Sequence, residues 1–140
     1  MMKIMPAYII STLIFSLVFL SVDTTLYAGR DCIAFESQTV ILSGYFVVKD
    51  AADANGRLER PYILRLDKPI CTKPEPGETW GTFSNEGEIQ IVMLFSPPPS
   101  VRLFYGQHIA IKGTLMHAIT AHHHTNVLIQ VRDIEDIKLK

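Results

Sequence analysis

The sequence has one concentration of chemistry-bearing side chains: His117, His122, His123 and His124, with His108 nine residues before His117. Neighbours in an extended segment point to opposite sides, so His122 and His124 share a face while His123 turns away. With His117 at the end of the opposing strand, His122 and His124 could complete three imidazoles around a zinc or copper ion and leave a fourth position for water. No Asp or Glu lies near in sequence to act as a base or to orient an imidazole, since Asp133 and Glu135 belong to the far end of the next strand. Two plainer roles suit the same residues. One or two imidazoles fasten a hairpin through the hydroxyls of Thr120 and Thr125 or through loop carbonyls, or the group responds to pH, because an unperturbed His titrates near about 6.5.

Elsewhere the chemistry is thinner. Glu86 and Glu88 stand two apart near the start of a predicted strand, where a solvated turn face explains them better than a catalytic carboxylate pair. Arg57, Arg60, Arg65 and Lys68 are interspersed with Glu59 and Asp67, the pattern of an ion-paired sheet face; Arg65 is the member placed to meet a ligand. Trp80 and Phe83 could stack on a sugar or anchor a partner protein, or could plug one end of a barrel. The Gly-x-Ser-x-Gly elbow, the His-Glu-x-x-His zinc motif, the phosphate-cradling glycine loop and the dinucleotide fingerprint are all missing. The sequence therefore predicts no catalytic residue and no enzymatic activity.

These residues must be positioned by a chain of 140 residues with 48% hydrophobic and 19% charged side chains and a formal net charge of −1. That size predicts one domain. The composition excludes intrinsic disorder, and the balanced charge excludes a generic electrostatic grip on nucleic acid. Ala7 to Val22 is almost wholly apolar, follows Lys3 and gives way to a polar stretch ending Tyr27-Ala28-Gly29, the layout of a secretory leader (residues 1–28) and too short for a membrane span. Its removal takes one Lys and one Asp, leaving 12 basic and 13 acidic side chains in residues 29–140 and no membrane span. In an exported protein the two cysteines, Cys32 and Cys71, predict a disulfide. Closing that loop of about 39 residues is worth roughly 4 kcal/mol in the chain-entropy model.

Period-two patterns recur along residues 29–140 and predict an all-β fold. Val40, Leu42, Gly44, Phe46 and Val48 share a face of a first strand over residues 38–49, and a polar turn runs from Asp50 to Arg60. Tyr62, Leu64 and Leu66 mark a second strand. From Lys68-Pro69-Ile70-Cys71 to Asn85 the composition predicts irregular backbone tied down by the disulfide. A third strand is expected over 88–95, then polyproline II at Ser96–Ser100 and a turn at Val101–Tyr105. A fourth strand covers His108–His117, a fifth residues 125–134, and the charged tail follows. Five strands with the longest connection between the third and fourth match the OB-fold, a small five-stranded Greek-key barrel. Gly106 and Gly113 around the fourth strand, and Gly44 in the first, suit its bends. An open β-sandwich is the competing architecture.

The stretch Gly113-Thr114-Leu115-Met116-His117-Ala118-Ile119-Thr120-Ala121-His122-His123-His124-Thr125-Asn126-Val127-Leu128 resembles the C-terminal signature of a small exported bacterial family, the domain of unknown function 4431. In that family a Gly-Thr-Leu strand leads to a Thr-x-His-His-x-Thr turn and a closing apolar strand. The resemblance implies export to the periplasm or exterior of a bacterium and supplies no activity. The expected function is thus a non-enzymatic binding module for a protein or glycan of the cell envelope, in the manner of inhibitors or immunity proteins, without a resident cofactor. The alternative is a metal-binding or metal-sensing protein that uses His117, His122 and His124. The residues expected at a binding surface are Arg65, Trp80, Phe83 and His123.

Overall fold

A computed structural model describes residues 32–36, 38–79 and 81–140. The predicted leader and Trp80 lie outside them. The described chain is built of β1 (Ile33–Ala34), β2 (Thr39–Val48), β3 (Ala51–Ala52), β4 (Leu58–Glu59), β5 (Tyr62–Lys73), β6 (Phe83–Met93), β7 (His108–His117), β8 (Val127–Val131) and β9 (Ile137–Leu139), with short 3₁₀ turns at Pro99–Phe104 and Ile134–Asp136. No helix among these residues is long and apolar enough to cross a membrane.

The five long strands close on themselves. β2 pairs with β5, β5 with β6, β6 with β8, β8 with β7, and β7 returns to β2. Only the β6–β8 step of that ring is parallel, which is the closure expected of the five-stranded Greek-key barrel and excludes an open sandwich. Alternation explains the interior. Val40, Leu42 and Phe46 of β2, Leu64 and Leu66 of β5, Ile89 and Ile91 of β6, Ile109, Ile111 and Leu115 of β7, and Val127, Ile129 and Val131 of β8 all join one buried cluster. Two glycines let the wall bend. A Cβ on Gly44 would stand 2.0 Å from the Arg65 carbonyl oxygen, and one on Gly113 would stand 2.3 Å from that of Gln130. Neither contact admits a side chain.

The turn at Pro99–Phe104 buries Val101, and with Phe104 and Tyr105 it brings aromatic rings against Phe46 and Tyr62 to fill one end of the barrel. Around the other end, Phe35 meets Phe83 and His117 edge-on, at ring-centre distances of 6.4 and 5.5 Å.

Two sequence expectations need correction. The segment from Lys68 is not irregular: β5 runs on to Lys73, because the pairing with β6 skips between Arg65 and Ile70 and then resumes at Ile70 and Thr72. Pro69, which has no N–H to offer, sits in that bulge, where none is required. β6 correspondingly begins at Phe83, five residues early. The charged tail also conceals an element, since β9 pairs with β7 and buries Ile137. The Cys32–Cys71 disulfide forms as expected and joins the chain just before β1 to β5, with which β1 pairs in parallel through Ile33 and Thr72.

Candidate functional site

In a barrel of this topology the face presented by β5 and β6, between the β2–β5 and β7–β8 connections, is the usual ligand surface. Both connections are ordered here by hydrogen bonds. The 49–61 connection folds into the β3–β4 hairpin around Asp53, whose Oδ1 accepts from the amides of Asn55 and Arg57, both at 2.8 Å, while the Asp53 amide donates to the Arg57 carbonyl at 2.9 Å. That local bonding explains why a turn of polar residues and Gly56 closes tightly.

The 118–126 connection is held by its own histidine and by β6. His123 Nδ1 accepts from the Ile119 amide at 2.9 Å, and the Thr120 hydroxyl accepts from the His122 amide at 3.3 Å. Burial and then the neighbouring imidazoles hold His123 below its ordinary value, which keeps Nδ1 free to accept. Gln90 docks the loop from below: its Oε1 accepts from the His124 amide at 2.7 Å, its Nε2 donates to the His122 carbonyl at 3.1 Å, and its own amide donates to the Thr125 hydroxyl at 2.8 Å.

The two connections meet at Glu59. One carboxylate oxygen contacts His122 Nδ1, and the other lies 2.6 Å from His124 Nε2. The hydrogen bonds from His124 and then His122 hold Glu59 below the ordinary carboxylate value. The alternation expected from an extended segment is therefore present: His122 and His124 face one acceptor and His123 turns back to the loop backbone. His117 does not join them. It packs against Phe35 beside Gly81, and the group of potential ligand atoms found among the described residues is Asp53, Glu59 and His122.

Beside this junction lies a cleft of about 260 Å³, lined by Lys49, Ala51, Ala52, Ile63, Glu88 and His124 among others. Its floor is Ile63, an apolar side chain on the outward face of β5 that is 2% exposed. Glu88 on its wall is ion-paired to Lys49 and, at 3.2 Å, to Arg65 Nε; these pairs, Lys49 first, lower the Glu88 pKa. Arg65 thus stands on the expected face, exposed and paired. Phe83 packs half-buried against the core next to Phe35. Glu86 accepts from Asn126 Nδ2 at 3.2 Å. Asp53, Glu59 and Gln90 carry no signal as site residues in the sequence, because their partners lie far along the chain; Glu59 and His122 are 63 positions apart.

The family model described as a domain of unknown function, 4431, matches residues 88–135. The resemblance drawn from the 113–128 stretch is borne out, and the match spans most of β6, all of β7 and β8 and the histidine loop. Asp53 and Glu59 fall outside it. No curated protein matches the chain.

Proposed function

We propose that this chain is an exported, non-enzymatic binding module of the cell envelope, of inhibitor or immunity type, that seats one group of a protein or glycan partner in the cleft between the β3–β4 hairpin and the histidine loop. The observation that carries this reading is the cleft itself: an apolar floor at Ile63, a charged wall at Lys49 and Glu88, and a position on the face where barrels of this topology take ligands. At about 260 Å³ it is smaller than the roughly 300–1,000 Å³ of small-molecule sites. It suits a single sugar ring or side chain that belongs to something larger. The hydroxyls of Thr120 and Thr125 and the ring of His123 are occupied in holding the loop backbone, which favours a rigid rim over a reactive one. The disulfide favours an oxidising destination.

Isotope-labelled, disulfide-bonded protein titrated with envelope glycan fragments and with fractionated envelope proteins tests the reading by amide chemical shifts. Shifts confined to Lys49, Ala51, Ala52, Ile63 and Thr125 are expected with at least one ligand. Saturable shifts that map instead to the opposite wall, around β2 and β9, overturn the placement. No shifts with either class overturn the function.

A further inference from the structure

The junction of the two connections holds more donor atoms than a hydrogen-bonded clasp requires. Asp53, Glu59 and His122 each bring one potential ligand atom, and the three atoms lie within 4.8 Å of one another. Zinc bonds of roughly 2.0–2.2 Å to oxygen and nitrogen place tetrahedral ligand atoms about 3.3 Å apart. Small side-chain rotations close that difference. His122 has the freedom for them, with 65% of its side chain exposed on the loop.

Asp53 supplies an independent reason to expect a cation. It is only 8% exposed, its Oδ1 accepts from the Asn55 and Arg57 amides, and no Lys or Arg among the described residues forms an ion pair with it. A carboxylate removed from water in this way is stable when its charge is compensated. Here a second carboxylate lies beside it, and two like charges at that range repel. His122 is the imidazole within reach of both, with a ring nitrogen within 4.8 Å of each carboxylate. A divalent ion between them would compensate both carboxylates.

We propose that Asp53, Glu59 and His122 bind one zinc-class divalent transition ion, which pins the β3–β4 hairpin to the β7–β8 loop. His124, on the other oxygen of Glu59 at 2.6 Å, is a positioning residue that orients the carboxylate, the role outer partners play at metal sites. Two carboxylate oxygens and one imidazole nitrogen, with the exposed side open to water, suit zinc. Calcium takes about six to eight oxygen ligands and magnesium a strict octahedron, neither of which this set provides. The site differs from one built on His117, His122 and His124, and although His124 also lines the neighbouring cleft, none of the three ligands does, so either can fail without the other.

The test is calorimetric titration of the chelator-treated, disulfide-bonded protein with zinc chloride and, separately, calcium chloride, together with thermal melting. One equivalent of zinc is expected to bind with Kd of about 10 μM or tighter, to raise the melting temperature, and to be preferred over calcium. His122→Ala, on an exposed side chain and with its fold checked by circular dichroism, and Glu59→Gln should each abolish the melting shift. His124→Ala should weaken zinc by about tenfold or more while keeping the one-to-one ratio. His117→Ala should leave the zinc affinity and the zinc-induced melting shift unchanged. The proposal is overturned by zinc binding weaker than about 100 μM, by calcium binding as tightly as zinc, or by binding that His117→Ala removes and Glu59→Gln leaves intact.

Discussion

Gln90 is the residue on which the histidine loop rests. Its side chain forms two hydrogen bonds to loop backbone, to the His124 amide and the His122 carbonyl, while the barrel strand below it is fixed by pairing to β5 and β8. Gln90→Ala leaves both loop groups to water. At roughly 0.5–1.5 kcal/mol per hydrogen bond, a loss of about 1–2 kcal/mol is expected in urea unfolding, with the loop amides exchanging faster than those of β7. Glu88 makes a different kind of contribution. Lys49 and Arg65 hold its pKa below the ordinary 4.5, so the unfolded chain takes up a proton before the folded one does. The stabilisation is whole above pH 4.5 and fades as the pH falls towards the depressed value. In Glu88→Gln, the stability measured from pH 7 down to about 3 should therefore fall less steeply than in the parent. An equal slope in the two proteins would mean the exposed pair adds nothing, as many surface pairs do.

At the scale of elements, strands whose inner face alternates without interruption were legible in the sequence, β8 was legible as an apolar run though shorter than the expected 125–134, and the interrupted segments were not. β7 spans His108–His117 as the pattern predicts, and β2 loses only one residue at either end, because each buries every second side chain. The distal half of β5 was hidden by Pro69, which signals a break when read locally and proves to occupy a bulge. The start of β6 was hidden by Asn85 and Gly87, and β9 by the charge around Ile137. The candidate site divides along the same line. That His122 and His124 share a face follows from local geometry, whereas their meeting with Glu59 is made by closing the barrel and has no local signature. The bending glycines were legible, and they carry a sharp consequence. A Cβ on Gly44 would meet the Arg65 carbonyl at 2.0 Å, backbone rather than a flexible side-chain end, so β2 and β5 must separate to admit it. Gly44→Ala should destabilise by about 3 kcal/mol, the upper end of overpacking, and weaken amide protection at Tyr45, Phe46 and Leu64. Replacement without loss of stability would show that the wall can flex where it is drawn closed.

For the whole molecule, the question is how a barrel this small stays closed with one wall reached by a two-residue strand. β1 offers only the Ile33–Thr72 and Ala34–Lys73 pairs, too few to stand alone, yet it leads to Phe35, which is 2% exposed and packs against Phe83 and His117. The Cys32–Cys71 bond holds that segment in place. Removing it by the paired substitutions Cys32→Ala and Cys71→Ala should lower the unfolding free energy by roughly 4 kcal/mol in the chain-entropy account. Set against about 5–15 kcal/mol for a domain of ordinary stability, that is a large share. The proposed export can be tested against the same magnitude. Made with residues 1–28 in an exporting bacterium, the protein is expected to accumulate folded and oxidised outside the cytosol, with a new N-terminus near Gly29. Made without them in a reducing cytosol, it should be degraded or insoluble, and the paired variant should behave this way in both compartments. Intact-mass analysis of the recovered chain reads both the cleavage and the two-hydrogen difference of the disulfide. A paired variant as stable as the parent in urea would show that Phe35 and the barrel core hold the segment unaided, and would remove the physical reason for the proposed export.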